Sequence, residues 1–257
     1  MNLLSWNCQG VGNPLTVHNL KGLNAAHSPH FVFLMETKNK SQLVKKILNR
    51  CGFSDMVVVD PQGLAGGLAF AWNSDCTVSI VKMAGFFIHA KIYDANIEMK
   101  WNLIMVYISC VDDAMSEQFN FLCNYCNQMQ DLLLIGDFNS FLRIDEKRGG
   151  NRQLDSKVFV FHGLSLIDLG FKGPTMTWNN HRNGAANIQE RLDRGLASSQ
   201  WLFHFPNAVI HHLCDIGSDY CPILLHLHPS IKKARRQFRF DSRWLGNAEV
   251  EHIISKA

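Results

Sequence analysis

Ten short runs rich in Val, Ile, Leu, Phe and Trp recur along the chain: NLLSWN, FVFLM, MVVV, GLAFAW, TVSIVK, FFIHAKI, WNLIMVYIS, DLLLIG, TMTW and PILLHLH. Gly, Asn, Asp and Pro stand between them, and this punctuation predicts strands joined by turns. Helical patterns are fewer. NPLTVHNLKGLNAAH, KSQLVKKILNRCG, DDAMSEQFNFLCNYCNQM and DSKVFVFHGLSLIDLG repeat apolar residues at three- and four-residue spacing. The first begins with Pro14 just inside an Asn13 cap. The second ends on Gly52 behind Lys45, Lys46 and Arg50, which suits a helix C-terminus. Many strands with a few helices between them predict an α+β sandwich, two packed sheets covered by helices.

A chain of 257 residues buries a large core. No linker-like stretch divides its first 230 residues, so one domain is expected over 1–230, followed by a tail over 231–257. The net charge of +3 hides an asymmetry between the two. Seven of the 25 Lys and Arg fall in residues 232–257 against three acids, which leaves 18 basic and 19 acidic groups in the body. In the tail Lys232, Lys233, Arg235, Arg236 and Arg239 interleave with Phe238 and Phe240. Such a segment neutralises phosphates and stacks on bases, although a solvated linker has the same composition. No apolar run reaches the ~18 residues that span a membrane, and MNLLSWNCQG lacks the basic start and long apolar stretch of a signal peptide. Of eight cysteines only Cys123 and Cys126 form a CxxC, without a second pair at zinc-finger spacing, so reduced core thiols are expected. Together these features predict an intracellular protein of the nucleus or cytoplasm, neither secreted nor membrane-bound. Nothing in the sequence argues for an oligomer, and a monomer without a nucleotide cofactor is expected.

Three acids stand beside buried strands. Glu36 follows FVFLM, Asp137 follows DLLLIG, and Asp219 precedes CPILLHLH. If the third strand runs antiparallel to the first two, all three share one rim. Hard cations such as Mg²⁺ take oxygen ligands of this kind, usually one or two carboxylates with water and substrate phosphate.

The words around these acids are more specific. LSWNCQG, LMETK, LIGDFNS, RLDRGLAS and SDYCPILL follow one another in this order. The chain thereby resembles the endonuclease/exonuclease/phosphatase superfamily, the DNase I-like fold. Within it ETK, GGLAFAW, GDFN, EKRGG, GPTMTW, RLDRGLAS and FRFDSRWL look like the apurinic-type endonuclease domain of plant LINE retrotransposons. The likeness extends over residues 1 to 245. It implies a four-layer αββα sandwich with two central β-sheets, Mg²⁺ or Mn²⁺ as cofactor, and DNA as substrate. By the same resemblance Glu36 is the main metal ligand, with Asn7 helping to hold the metal or to orient Glu36. Asp137 would activate the attacking water, and Asn139 would donate to a phosphate oxygen. Tyr107 would lie near the scissile phosphate, Asp193 would support the network, and Asp219 would assist the metal or orient its neighbour. Asp145, Glu146 and Asp168 have no such counterpart and read as surface or capping acids. In relatives the basic tail leads toward a reverse transcriptase.

Residue 220 departs from the pattern. The resemblance implies a histidine after Ser-Asp, paired with the adjacent acid, and here the residue is Tyr220. A phenol with a reference pKa of about 10 does not become a cation near neutral pH. Loss of one preorganised donor to a developing oxyanion costs on the order of 10² to 10³ in rate. Compensation would have to come from the phenol itself or from His211 or His212. Gln9 also departs from the acid of cellular apurinic endonucleases, as it does in retroelement relatives. The expectation is therefore an impaired phosphodiester hydrolase, with an inactive nucleic-acid- or protein-binding domain as the alternative. A small-molecule or lipid phosphodiesterase on the same fold is a third reading.

Overall fold

The computed structural model describes residues 1–63, 65–151, 165–214 and 218–229. Its first half runs β1 (Asn2–Asn7), α1 (Pro14–His27), β2 (Phe31–Met35), α2 (Ser41–Arg50), β3 (Asp55–Val59), β4 (Leu68–Trp72), β5 (Thr77–Ala84), β6 (Phe87–Asp94), β7 (Met99–Tyr107) and α3 (Asp112–Cys126). The second half runs β8 (Leu132–Asp137), β9 (Lys147–Arg148), β10 (Ile167–Asp168), β11 (Trp178–Asn179), β12 (Gln189–Glu190), β13 (Asp193–Ala197), α4 (Ser199–His204), β14 (Val209–His212) and β15 (Ile223–His226). One six-stranded sheet has the order β14-β15-β1-β2-β4-β3, and a second has β10-β13-β8-β7-β6-β5. A small third sheet, β11-β12-β9, flanks them.

Side chains alternate across each strand, and here both faces are covered. In β2, Phe31, Phe33 and Met35 point to the space between the sheets, where they meet Ile88, Trp101, Leu103, Met105 and Ile135 of the second sheet. Val32 and Leu34 point outward against Leu20, Val44, Ile47 and Leu48 of α1 and α2. On the far side Ile104, Val106 and Leu134 pack against Met115, Phe119 and Leu122 of α3. The result is the expected αββα sandwich, and its double burial explains why FVFLM and DLLLIG are unbroken apolar runs.

Each large sheet has one parallel pair at its centre, β1 with β2 and β7 with β8. The C-terminal ends of β1 and β2, and of β7 and β8, therefore carry Asn7, Glu36, Tyr107 and Asp137. β15 runs antiparallel to β1, so the segment entering it returns to the same rim. Gly136 makes the second pair possible. Its φ is 142°, and a Cβ there would collide with the Val106 carbonyl of the adjacent strand.

The sequence signals miss three strands of the large sheets, β10, β13 and β14. β13 is DRGLA, whose Asp, Arg and Gly are weak strand formers; it is extended because β8 and β10 pair on either side. β14 ends in His211-His212, which hides its periodicity. The predicted helix over 155–170 lies outside the described residues up to 164, and its end is instead strand β10. The basic tail, with Lys232, Lys233, Arg235, Arg236 and Arg239, also lies outside the described residues. Among the described residues no helix is long and apolar enough to cross a membrane.

Candidate active site

Asp137 is the last residue of β8 and is fully buried. Register places it beside Tyr107 of β7 on one side and Asp193 of β13 on the other. Its Oδ1 accepts the Asn139 backbone N–H at 2.8 Å, and its Oδ2 accepts the Asn7 side-chain amide at 3.0 Å. Asn139 adopts a left-handed φ of 46°, which folds the chain back toward that carboxylate. Burial pushes the Asp137 pKa up to about 6, and the charge of Glu36 adds to this. The bonds from Asn7 and Asn139 and the nearby Tyr220 hydroxyl pull the other way without cancelling it. One amide N–H of Asn139 is committed to the Ile108 carbonyl at 2.6 Å, which leaves its second for a ligand.

Asp193 is buried directly opposite Asp137. Burial, then the negative charge of Asp137, raises its pKa well above the usual carboxylate range. Like charges in one dry site do not both ionise readily. Thr177 holds this arrangement. Its Oγ1 accepts the backbone N–H groups of Leu192 and Asp193 at 2.9 and 3.0 Å, and its carbonyl accepts the N–H of Cys221 at 2.7 Å. A threonine in GPTMTW thus anchors position 193 and position 221, next to Tyr220, from one residue, a role its strand-like surroundings do not announce.

Tyr220 is 7% exposed, and its pKa is raised by burial and by the charges of Asp137 and Asp193. The expected pairing of residue 220 with the adjacent acid is corrected here. Successive side chains in extended backbone face opposite ways, so Tyr220 turns toward Asp137 and Asp193 while the side chain of Asp219 is 47% exposed and 4.0 Å from His181. The backbone at 220 is fixed, since its carbonyl accepts the Trp6 indole N–H at 3.2 Å. Asp219 shares the rim by its backbone, whereas its carboxylate lines a cleft of about 340 Å³ with Arg148, Trp178 and Asn179. Neither His211 nor His212 substitutes for residue 220. Both lie on the edge strand β14, where His212 stacks on Phe171 and bonds the Pro174 carbonyl, and His211 packs against His226.

Glu36 follows β2 in a left-handed conformation, φ 51°. Its Oε1 accepts the Tyr107 hydroxyl, and its Oε2 meets Lys38 Nζ at 2.8 Å. Burial, followed by that bond and by the charge of Glu36, raises the Tyr107 pKa. Asn7 ends the neighbouring β1, and its Oδ1 is buried with no hydrogen-bond partner. A carboxylate and an unsatisfied amide oxygen on adjacent strand ends are donors that a hard cation accepts. Among the described residues no three His, Cys, Asp or Glu side chains form a metal cage. That donor set suits Mg²⁺, which keeps several waters and uses one or two carboxylates, better than a fully caged ion.

Of the acids read as surface or capping residues, Glu146 is buried instead, and Asp168, partly exposed and bonded to the Gly170 N–H, joins it in an ion-pair network. Glu146 accepts Arg191 Nη1 at 2.7 Å and Arg194 Nη2 at 3.1 Å, and Asp168 accepts Arg191 Nη2 at 2.8 Å. Arg194 is fully buried. Both arginines of RLDRGLAS are thus spent on anchoring the strand that carries Asp193, and sequence position alone does not reveal such partners. Asp145 does lie at the surface, paired with Arg143. A cavity of about 800 Å³ adjoins this network and includes Arg143, Glu146, Asp168 and Arg191 but none of the rim residues.

The same architecture recurs in solved structures. A 3'-5' exonuclease from Neisseria meningitidis superposes with a TM-score of 0.66 at 16% identity, covering 88% of this chain and 99% of that one. An AP endonuclease from Archaeoglobus fulgidus gives 0.67 at 14% identity, covering 88% and 98%. The endonuclease domain of TRAS1, a telomere-specific non-LTR retrotransposon, gives 0.62 at 15% identity, covering 88% and 97%. No curated protein matches the sequence. Residues 4–219 match the Endonuclease/Exonuclease/phosphatase family, and with its DNase I-like sandwich the chain belongs to that family.

Proposed function

We propose that the chain is a metal-dependent phosphodiester hydrolase acting on DNA, the endonuclease domain of a plant LINE-type retrotransposon, slowed by Tyr220. The observation that carries this reading is Asp137. A buried carboxylate whose pKa is raised to about 6 and whose two oxygens are held by Asn7 and Asn139 is poised as a general base near neutral pH. In this reading Asp137 takes the proton of the attacking water, and the second amide N–H of Asn139 meets a phosphoryl oxygen. Glu36 and Asn7 would hold Mg²⁺ or Mn²⁺, which offsets charge on the phosphoryl oxygens when bound. Tyr107 orients Glu36 through its hydroxyl, and Asp193 holds a proton opposite the base. Tyr220 supplies a neutral donor where the family expectation is an imidazole. Among the similar structures, a 3' phosphatase from Neisseria bound to a product DNA hairpin and the endonuclease domain of a non-LTR retrotransposon support DNA as the substrate class.

Cleavage of a labelled DNA duplex in Mg²⁺ tests the reading. Slow cleavage that EDTA and Asp137→Ala each abolish is the expected result. Salt-dependent DNA binding with no cleavage at any metal concentration would instead favour the non-catalytic binding domain, the reading that Tyr220 itself suggests.

A further inference from the structure

The ion pair between Lys38 and Glu36 has no place in the hydrolytic scheme. Its backbone setting is unusually well fixed. Glu36, Thr37 and Lys38 lie between two other segments: Gly10 and Val11 donate to the carbonyls of Glu36 and Thr37 at 2.8 and 3.0 Å, and the N–H groups of Thr37 and Lys38 donate to Gly67 and Gly66 at 3.0 Å each. Gly67 is required there, because a Cβ would strike the Thr37 hydroxyl. Both Glu36 and Lys38 take left-handed backbone, φ 51° and 53°, a conformation that non-glycine residues seldom adopt. The clamp thus brings two side chains two residues apart together on one side of the rim. The ammonium reaches Glu36 Oε2 at 2.8 Å, while Tyr107 takes Oε1. Glu36 is only 16% exposed and Lys38 37%, so the pair sits at the mouth of the rim rather than in free solvent.

We propose that Lys38 is a built-in competitor for the cation site, its ammonium holding the Glu36 oxygen that a divalent ion would need. This rests on the reading of Glu36 as a metal ligand. An ammonium on a carboxylate oxygen blocks direct coordination there and repels a second cation. Entry of the ion therefore requires Lys38 to swing outward, which its partial exposure permits. Without metal the pair and the Tyr107 hydroxyl hold Glu36 in place. With metal and substrate, the displaced ammonium is released within reach of the rim.

The test is direct titration of Mn²⁺ by calorimetry into the full chain and three variants, Lys38→Gln, Lys38→Arg and Glu36→Gln, with thermal melts to check folding. Lys38→Gln should bind Mn²⁺ about 3- to 10-fold more tightly, since an exposed pair contributes up to roughly a fewfold in affinity and cation–cation repulsion adds to it. Lys38→Arg should bind like the natural chain, and Glu36→Gln should lose the site. Unchanged or weaker binding by Lys38→Gln, with Glu36→Gln still inactive toward Mn²⁺, would overturn the competition while leaving Glu36 as a ligand. Unchanged Mn²⁺ affinity with weaker DNA binding would also overturn it and place Lys38 on the substrate. Full binding by Glu36→Gln, or no binding by any form, would overturn it together with the metal reading.

Discussion

Replacing Glu146 by Gln should destabilise the domain by about 3–5 kcal/mol, the cost of leaving a buried charge without its partner. Glu146 Oε1 meets Arg191 Nη1 at 2.7 Å and Arg194 Nη1 at 3.2 Å. Its Oε2 meets Arg194 Nη2 at 3.1 Å and the Leu142 N–H at 2.7 Å. Two guanidinium groups thus face two carboxylates, Glu146 and Asp168, and the cluster is neutral. The amide of Gln removes one negative charge and turns an N–H donor toward groups that only donate. For a domain of this size the loss lowers the melting temperature by about 6–20 °C. Urea unfolding followed by tryptophan fluorescence at pH 7 measures it. The pH dependence gives a second check. Burial alone would raise the pKa values of Glu146 and Asp168, but Arg194 and Arg191 outweigh it and lower both. Depressed carboxylates contribute stability above their unfolded pKa of about 4 and lose it as the pH falls through the folded value. The gap between natural chain and variant should therefore close below about pH 4. A change under about 1 kcal/mol at pH 7, in the range of an exposed pair, would refute the closed buried network.

Other substitutions report on the rim. Asp137→Asn should make the fold more stable at pH 8 and nearly unchanged below about pH 4, because the folded state prefers the protonated acid and that preference is lost between the unfolded pKa of about 4 and the folded value of about 6. The expected gain at pH 8 is about 1–3 kcal/mol in thermal or urea melts, and a loss there would contradict it. Asn7 can accommodate the new amide by presenting its partnerless Oδ1. Gly136→Ala should cost about 1–3 kcal/mol, since φ 142° is strained for any other residue and the methyl group meets the Val106 carbonyl. It should also lower any cleavage by roughly 10²-fold, as the Asp137 carboxylate is moved. Thr177→Val should weaken cleavage and cost about 1–3 kcal/mol of stability by orphaning the N–H groups of Leu192 and Asp193.

The strands with unbroken apolar runs were legible because both of their faces are buried, and the strand-end acids were legible because a carboxylate beside such a run has few places to go. Sequence signals weakened where long-range partners decide. DRGLA is a strand only because β8 and β10 flank it, and Glu146 is interior only because Arg191 and Arg194, more than 40 residues away, reach it. Alternation along the backbone, not sequence adjacency, separates Tyr220 from Asp219 and gives it Asp137 and Asp193 as neighbours. The Lys38 ion pair likewise follows from left-handed backbone at 36 and 38, which carries no signature in the residue types.

Nicking of supercoiled plasmid in Mg²⁺ by the natural chain and by Tyr220→His tests the central claim most directly. An imidazole at 220 faces the same two carboxylates and restores a donor that becomes cationic, so nicking should rise from a low rate by about 10²- to 10³-fold. Equal nicking by both forms would contradict the role given to residue 220. Silence in both would contradict the reading of Asp137 and its neighbours as a hydrolytic site.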